Sequence, residues 1–438
     1  MVLCRIPTYQ NNVSIASLAA DISALSMRVS SYLDANYHGQ PDFTPTSVAL
    51  PETPEFEALR NQVNDSALDL LRLVNGPKNT FRTLFFSHMD LAAAQVALSQ
   101  KFFEHVPDDK VGISAAEVAM RAGMDEDRTT RLLKMLATHR IFEEQINGKF
   151  RHTASSSFLR TSAFNAMCEA SLDDFFKATS EMNAWIEQSP YSMGLEDSAF
   201  HKRFGATFYG HYEENPAKAT RFSNAMNEWS LIDDNFAILR DRFDWLSLTN
   251  AKVVDVGGGN GHVSIDLANE FPFLTFTVQD LSTHQLSTAQ AHDVQNRVTF
   301  QQYNFFTPQP IHDAGVYLCR AIFHNHNDED SIKMLRSLIP ALEDRSDDPR
   351  ILINDIIVPE RAEGAVTRAE ENQHRQMDLL MLALFGAKER TKRDWKRLLE
   401  EVDPRLEILS MHYNPRGAGL IEVRLNPTTD KKHPKLSA

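Results

Sequence analysis

The chain predicts an α/β protein: a nucleotide-binding domain built on a parallel sheet, preceded by a mainly helical domain that ends in a winged-helix pattern. Three observations predict this. The stretch VVDVGGGNGH puts two β-branched residues and Asp255 ahead of glycines at Gly257, Gly259 and Gly261. A second apolar run, FLTFTVQDL, follows and reaches Asp280, so the order is strand, glycine turn, helix, strand, acidic residue. From Asn250 onward apolar runs of strand length alternate with helical patterns, which is how a βα sheet reads. Glycine suits the turn because it accepts positive φ and lets a ligand approach the backbone.

The elements can be justified in order. Residues 13–36 have helical periodicity, and residues 37–54 carry four prolines and read as a loop. A second helix is predicted from Glu55 to Val74, followed by an apolar helix pair over 80–106. Next come ISAAEVAMRAGM, DEDRTTRLLKMLATHRIFEEQ and NGKFRHT, giving helix, turn, helix and hairpin. Ser114 and Glu117 have capping-box spacing, Asp125 can cap the second helix, and Asn147-Gly148 is a hairpin turn. Residues 160–245 read as helical and rich in aromatics. Strands are predicted near 252–256, 274–279, 298–303, 314–319, 350–357, 405–411 and 419–424.

Composition narrows the function. The 438 residues imply more than one domain, and 42% hydrophobic with 24% charged residues is ordinary for a soluble chain. A net charge of -14 argues against nucleic acid or an anionic membrane as the main partner. The helix after Asp125 carries Arg128, Arg131 and Lys134, but Asp125, Glu126 and Asp127 stand where phosphates would lie. A packing or dimerisation role is therefore preferred to DNA binding. Cys4, Cys168 and Cys319 lack metal or redox spacing, which suits a reducing compartment. The first twelve residues contain no signal-peptide run, and no stretch reaches membrane-span length, so a cytoplasmic protein is expected.

The glycine spacing differs from the GxGxxG of dinucleotide enzymes, and with Asp255 before it resembles motif I of class I S-adenosylmethionine methyltransferases. Further blocks follow in the order of the plant- and fungal-type small-molecule O-methyltransferases: YNFFTPQP, RAIFHNHNDEDSIKMLRSLIPAL, ILINDIIVPE, RQMDLLML and GAKERTKRDW. The resemblance runs from about Thr80 to the end of the chain. It implies a Rossmann-like S-adenosylmethionine-binding domain over 246–438, a helical winged-helix dimerisation domain over 1–160, and a helical connector over 161–245 that lines the substrate pocket. It also implies a homodimer, S-adenosylmethionine as cofactor, and a phenolic or polyketide-type small molecule as substrate.

Residue by residue, the resemblance puts Asp255, Gly257, Gly259, Gly261, Asp280, Asn304, Phe305 and Arg320 at the cofactor. Asp280 would hold the ribose and Phe305 would lie against the adenine. His324 takes the place of the general base, flanked by Asp355 and Glu389, while His152, Met377 and Met381 fall at the substrate. A neutral hydroxyl is a poor nucleophile, so a histidine that takes its proton is worth about 10²- to 10⁴-fold. A carboxylate on the other ring nitrogen fixes the tautomer.

Each of these residues also has a plainer reading. Most of the sixteen histidines must be structural, and for His152 that reading is preferred to a place at the pocket. Asp355 can simply end a buried strand, Glu389 can cap a helix, and Met377 with Met381 can be core. His324-x-His326-x-Asp328 has a metal-ligand spacing, but Glu329 stands where a further histidine is usual, so no metal is predicted. The chain departs from the family at Asn304, where aspartate is usual, and at Asn325 and His326, where Asp-Trp is usual. These changes keep a second reading open, an O-methyltransferase-like pericyclase that uses bound S-adenosylmethionine without transferring its methyl. A non-catalytic winged-helix regulator is the third.

Overall fold

The computed structural model describes residues 13–161, 164–232, 235–281, 296–343, 345–360, 366–415 and 417–427. The first twelve residues, on which the signal-peptide expectation rests, lie outside them. The chain forms two compact units. One comprises residues 1–177, 212–229 and 361–373, and the other 178–211, 230–360 and 374–438. The connector expected over 161–245 is not one body, because its stretches are shared between the two units.

In the first unit, helix Ile15–Ala35 starts on Ser14, whose side chain completes a capping box with Ser17. The long helix Pro54–Ser99 takes Thr53 as N-cap and breaks at Gly76, whose φ of 62° and ψ of 173° are not helical. Pro77 follows and has no N–H for the helix ladder. The break falls between the two helical runs the sequence predicts.

The winged-helix pattern is also present. Strand β1 (Ile113–Ser114) leads into helix Ala115–Ala122, capped by Ser114 and Glu117, and Asp125 caps helix Glu126–Thr138. The wing is β2 (Phe142–Glu144) and β3 (Lys149–His152), joined through Gly148 at φ 74°. Val118, Leu133, Leu136, Phe142 and Phe150 form a shared core with Phe102 and Phe103. Burying side chains of this size is worth about 1.5–3 kcal/mol each. Phe81, Leu84, Phe85, Phe86 and Met89 on the long helix remain exposed on the single chain.

The second unit is an α/β layer. Its sheet contains β4 (Lys252–Val256), β5 (Thr275–Asp280), β6 (Val298–Gln302), β7 (Val316–Arg320), β8 (Arg350–Asn354), β11 (Leu406–His412) and β12 (Leu420–Leu425). A two-residue pair, β9 (Ile357–Val358) with β10 (Arg390–Thr391), stands apart in a parallel ladder. The seven-stranded order is β11-β12-β8-β7-β4-β5-β6. β4, β5, β6, β7 and β8 pair in parallel, while β12 is antiparallel to both β8 and β11.

The central strands β4, β7 and β8 are almost wholly buried and mainly apolar, with Asp255 in β4 and Asn354 at the end of β8 as buried polar residues. Strand order reverses between β4 and β7, so the carboxyl ends of these strands open the crevice where such sheets bind ligands. Asp255, Asp280, Arg320 and Asp355 all stand at or just beyond those ends. Among the described residues, no helix is long and apolar enough to cross a membrane.

Candidate active site

The glycine turn is shaped by what surrounds it. Gly257, Gly259 and Gly261 have φ of 72°, 59° and 75°, a region where a Cβ is strained. The N–H groups of Gly257 and Gly258 donate to the Gln279 carbonyl at 2.7 and 3.1 Å, tying the turn to β5. A Cβ on Gly257 would sit 2.5 Å from Ile322 Cδ1, and one on Gly261 would sit 2.8 Å from the Phe300 ring. A Cβ on Gly259 would meet no atom within 4 Å. The turn is packed on both flanks and open at its middle, the shape of a cradle.

Asp280 closes that cradle. The Gly259 N–H donates to its Oδ2 at 3.0 Å, so a half-buried carboxylate faces the open part of the turn. Phe305 packs edge-on to Phe306 and His326, with centroid distances of 4.9 and 5.5 Å. These groups fit an adenosine cofactor: an open backbone turn, a carboxylate for ribose hydroxyls and an aromatic face.

Asp255 lies beneath the glycine turn. It is buried at 2% exposure and accepts a hydrogen bond from the Ser264 hydroxyl at 2.6 Å. A Cβ on Gly258 would lie 2.5 Å from its carboxyl carbon. It supports the turn from below, and burial pushes its pKa up to about 6 against the pull of Ser264 and Arg320. Arg320 donates to Asn354 Oδ1 at 3.3 Å. Asn304 is exposed, and its Oδ1 accepts the Phe306 N–H at 3.0 Å, so that oxygen serves its own turn.

His324 sits in the one-turn helix Phe323–Asn325 just beyond β7. Its Nδ1 lies 2.9 Å from Glu389 Oε1, with the ring 17% exposed and the Glu389 side chain fully buried. A carboxylate only accepts, so in the neutral ring the proton resides on Nδ1 and Nε2 is the nitrogen left for chemistry. Burial acts to lower the His324 pKa, but the charge and hydrogen bond of Glu389, joined by Asp355, carry it up to about 9. Glu389 is itself held by its N–H, which donates to Asp378 Oδ1 at 3.0 Å.

Asp355 flanks the histidine from the backbone side. Its Oδ2 accepts the Phe323 N–H at 3.1 Å, so it acts on the backbone that carries the histidine. Its Oδ1 is buried without a hydrogen-bond partner, and burial pushes its pKa up to about 6. Met381 is buried and Met377 half-buried, one helical turn apart and flanking Asp378.

His152 is a residue of the first unit. It lies in β3 of the first unit, 1% exposed, with Nδ1 2.9 Å from the Ser156 hydroxyl and Nε2 2.9 Å from the Val106 carbonyl. Both ring nitrogens are occupied by groups of the same unit, which is the arrangement of a structural histidine. The residues of the metal-like spacing also part company. His324 turns to Glu389, His326 packs on Phe305 and Phe306, and Asp328 pairs with Arg390.

Sequence reasoning missed Gly258, Ser264, Asp378 and Arg390. The last two stood inside the blocks that carried the resemblance, yet nothing local marks an aspartate as the partner of a backbone N–H eleven residues away.

Comparison with known proteins identifies the family. An O-methyltransferase domain matches residues 185–403, and an O-methyltransferase dimerisation domain matches residues 83–162. The O-methyltransferase sol2 of Alternaria solani is 41% identical over 417 residues, covering 94% of this chain and 96% of that protein. Two solved structures share the fold. The crystal structure of OxaC has a TM-score of 0.77 at 22% identity, covering 94% of this chain and 99% of that one. LepI, in complex with S-adenosylmethionine, has a TM-score of 0.72 at 21% identity, covering 93% and 100%. The chain is a member of the O-methyltransferase family, whose cofactor is S-adenosylmethionine.

Proposed function

We propose that this protein transfers a methyl group from S-adenosylmethionine to a hydroxyl of a phenolic or polyketide-type small molecule, with His324 as general base. The His324–Glu389 pair at 2.9 Å carries this reading. It fixes the tautomer that leaves Nε2 able to take a hydroxyl proton, and it stabilises the imidazolium that results. The bound cofactor supplies an electrophilic methyl on a sulfonium. The glycine turn, Asp280 and Phe305 would hold it at the carboxyl ends of β4 and β5. The chain's remaining work is to place the hydroxyl oxygen in line and to exclude water, and such positioning accounts for much of the acceleration. The dimerisation-domain match, together with the exposed Phe81, Leu84, Phe85, Phe86 and Met89, supports a homodimer.

The raised pKa favours one alternative. With a pKa of about 9, His324 is mainly imidazolium at neutral pH, and a fixed cation there could polarise a carbonyl for a dehydration or pericyclic step without methyl transfer.

One experiment separates the two readings. Purified protein is incubated with a phenolic polyketide and methyl-labelled S-adenosylmethionine, and product label and S-adenosylhomocysteine are quantified. Equimolar label and S-adenosylhomocysteine are expected. Substrate conversion without label would replace methyl transfer by the alternative.

A further inference from the structure

We propose that Arg390 is the positioning residue that sets the place of His324, by gripping the backbone on both sides of the histidine. The inference rests on the reading of His324 as the base.

Arg390 is 1% exposed. Its Nη1 donates to the Phe323 carbonyl at 2.7 Å and its Nη2 to the His326 carbonyl at 2.9 Å. These carbonyls flank His324 in sequence, one residue before it and two after. Nη2 also reaches Ser331 Oγ and Asp328 Oδ1, each at 2.9 Å, and Nε reaches Asp328 Oδ1 at 3.1 Å. The guanidinium therefore spans the turn and the first residues of the helix Asp328–Leu342 that follows it.

A planar fork with five N–H donors can meet this set of acceptors, whereas a lysine offers three donors from one point. The N–H side of the same peptide run is held too. Asp355 accepts from the Phe323 N–H, and the Ala321 N–H donates to the Asn354 carbonyl at 3.1 Å, with Ala321 at φ 51°. The left-handed Ala321 and the short helix after it are not conformations this segment would hold unaided.

Arg390 is also the neighbour of Glu389. One dipeptide, entering β10, thus grips the ring through Glu389 and the backbone through Arg390. Ring and backbone are held by adjacent residues, so Nδ1 keeps its place against Glu389 and Nε2 keeps its direction. Trp395, 1% exposed, packs against both Phe323 and the Arg390 guanidinium and closes the assembly from behind.

The test compares Arg390→Lys with wild type. The lysine keeps the charge and loses the double carbonyl grip. With unchanged affinity for S-adenosylmethionine as the check on folding, kcat is expected to fall on the order of 10- to 10²-fold with little change in KM for either substrate. The ascending limb of the pH–kcat profile should move to lower pH, because a loosened ring loses contact with Glu389.

A folded Arg390→Lys enzyme with wild-type kcat and profile overturns the proposal. Because a buried arginine can be needed for folding, Asp328→Asn supplies a second measurement. It removes the ion pair and leaves both carbonyl acceptors in place, so Tm is expected to drop while the ascending limb stays put. A limb displaced by Asp328→Asn would mean that the ion pair places the histidine, and would also overturn it. His324→Gln run alongside keeps the two readings apart: if that variant still methylates, it is the base assignment that fails.

Discussion

The wing around His152 and the turn around His324 each bury a histidine, and the two environments drive the rings in opposite directions. In the wing, burial dominates and lowers the His152 pKa, while a serine hydroxyl and a backbone carbonyl occupy both nitrogens. In the turn, a buried carboxylate outweighs burial and raises His324, while one nitrogen is left for chemistry. Burial alone therefore does not make a functional histidine. The difference lies in whether the partners are neutral and complete, or charged and leave a nitrogen over.

The comparison can be broken most sharply at His324. His324→Gln is expected to lower kcat by about 10²- to 10⁴-fold, read as label transfer from S-adenosylmethionine, while cofactor affinity holds. Methylation within a few fold of wild type would place the two histidines in the same structural class.

Glu389→Gln sharpens the contrast. An amide can still accept from Nδ1–H, so the tautomer is kept, but the negative charge that raises the ring is gone. The base must be neutral to act, so a pKa of about 9 makes the wild-type rate climb as pH rises toward 9. In Glu389→Gln the climb is expected to end at lower pH, with plateau kcat down roughly 10-fold. A limb that does not move would show that Glu389 does not set the ring's charge.

His152→Ala is expected to cost about 1–3 kcal/mol of stability, since the Val106 carbonyl and the Ser156 hydroxyl lose their partner. Calorimetric Tm would report that loss, and kcat of the folded fraction should remain near wild type.

The smallest effect is in the pH dependence of Tm. His152 has a folded pKa below its unfolded value near 6.5, so it costs stability as pH falls through about 6.5. His324 has a folded pKa above that value. Its contribution is fully present below about 6.5 and is lost as pH rises through about 9. Relative to wild type, His152→Ala should flatten the acid side of the Tm profile and His324→Gln the alkaline side. The reverse pattern would contradict both assignments.

Much of this was legible beforehand. The caps at Ser114 and Asp125, the break near Gly76 and the places of the sheet strands along the chain follow from local signals, because caps, glycines and apolar periodicity act over a few residues. The positions of Gly257, Gly259, Asp280, His324 and Glu389 followed from ordered blocks with recognisable spacing. The sequence left both readings of His152 standing, because a histidine closing a hairpin looks the same in sequence whether its nitrogens are satisfied or not. The contacts of Asp255 and Asp355 were hidden for a similar reason. A carboxylate ending a strand faces a ligand or a backbone N–H, and only packing decides which.

By itself, then, the sequence determined the layer order, the glycine turn and the identity of the groups that could bind an adenosine cofactor and move a proton. Tertiary structure alone decided that Asp355 accepts from the Phe323 N–H beside the ring, that Asp378 holds the N–H of Glu389, and that Arg390 clasps the carbonyls on either side of His324. The physical reason is one of range. Backbone preference and periodicity are written within a turn or a strand, whereas a pKa and a hydrogen-bond partner are set by whichever groups the folded chain brings within about 3 Å.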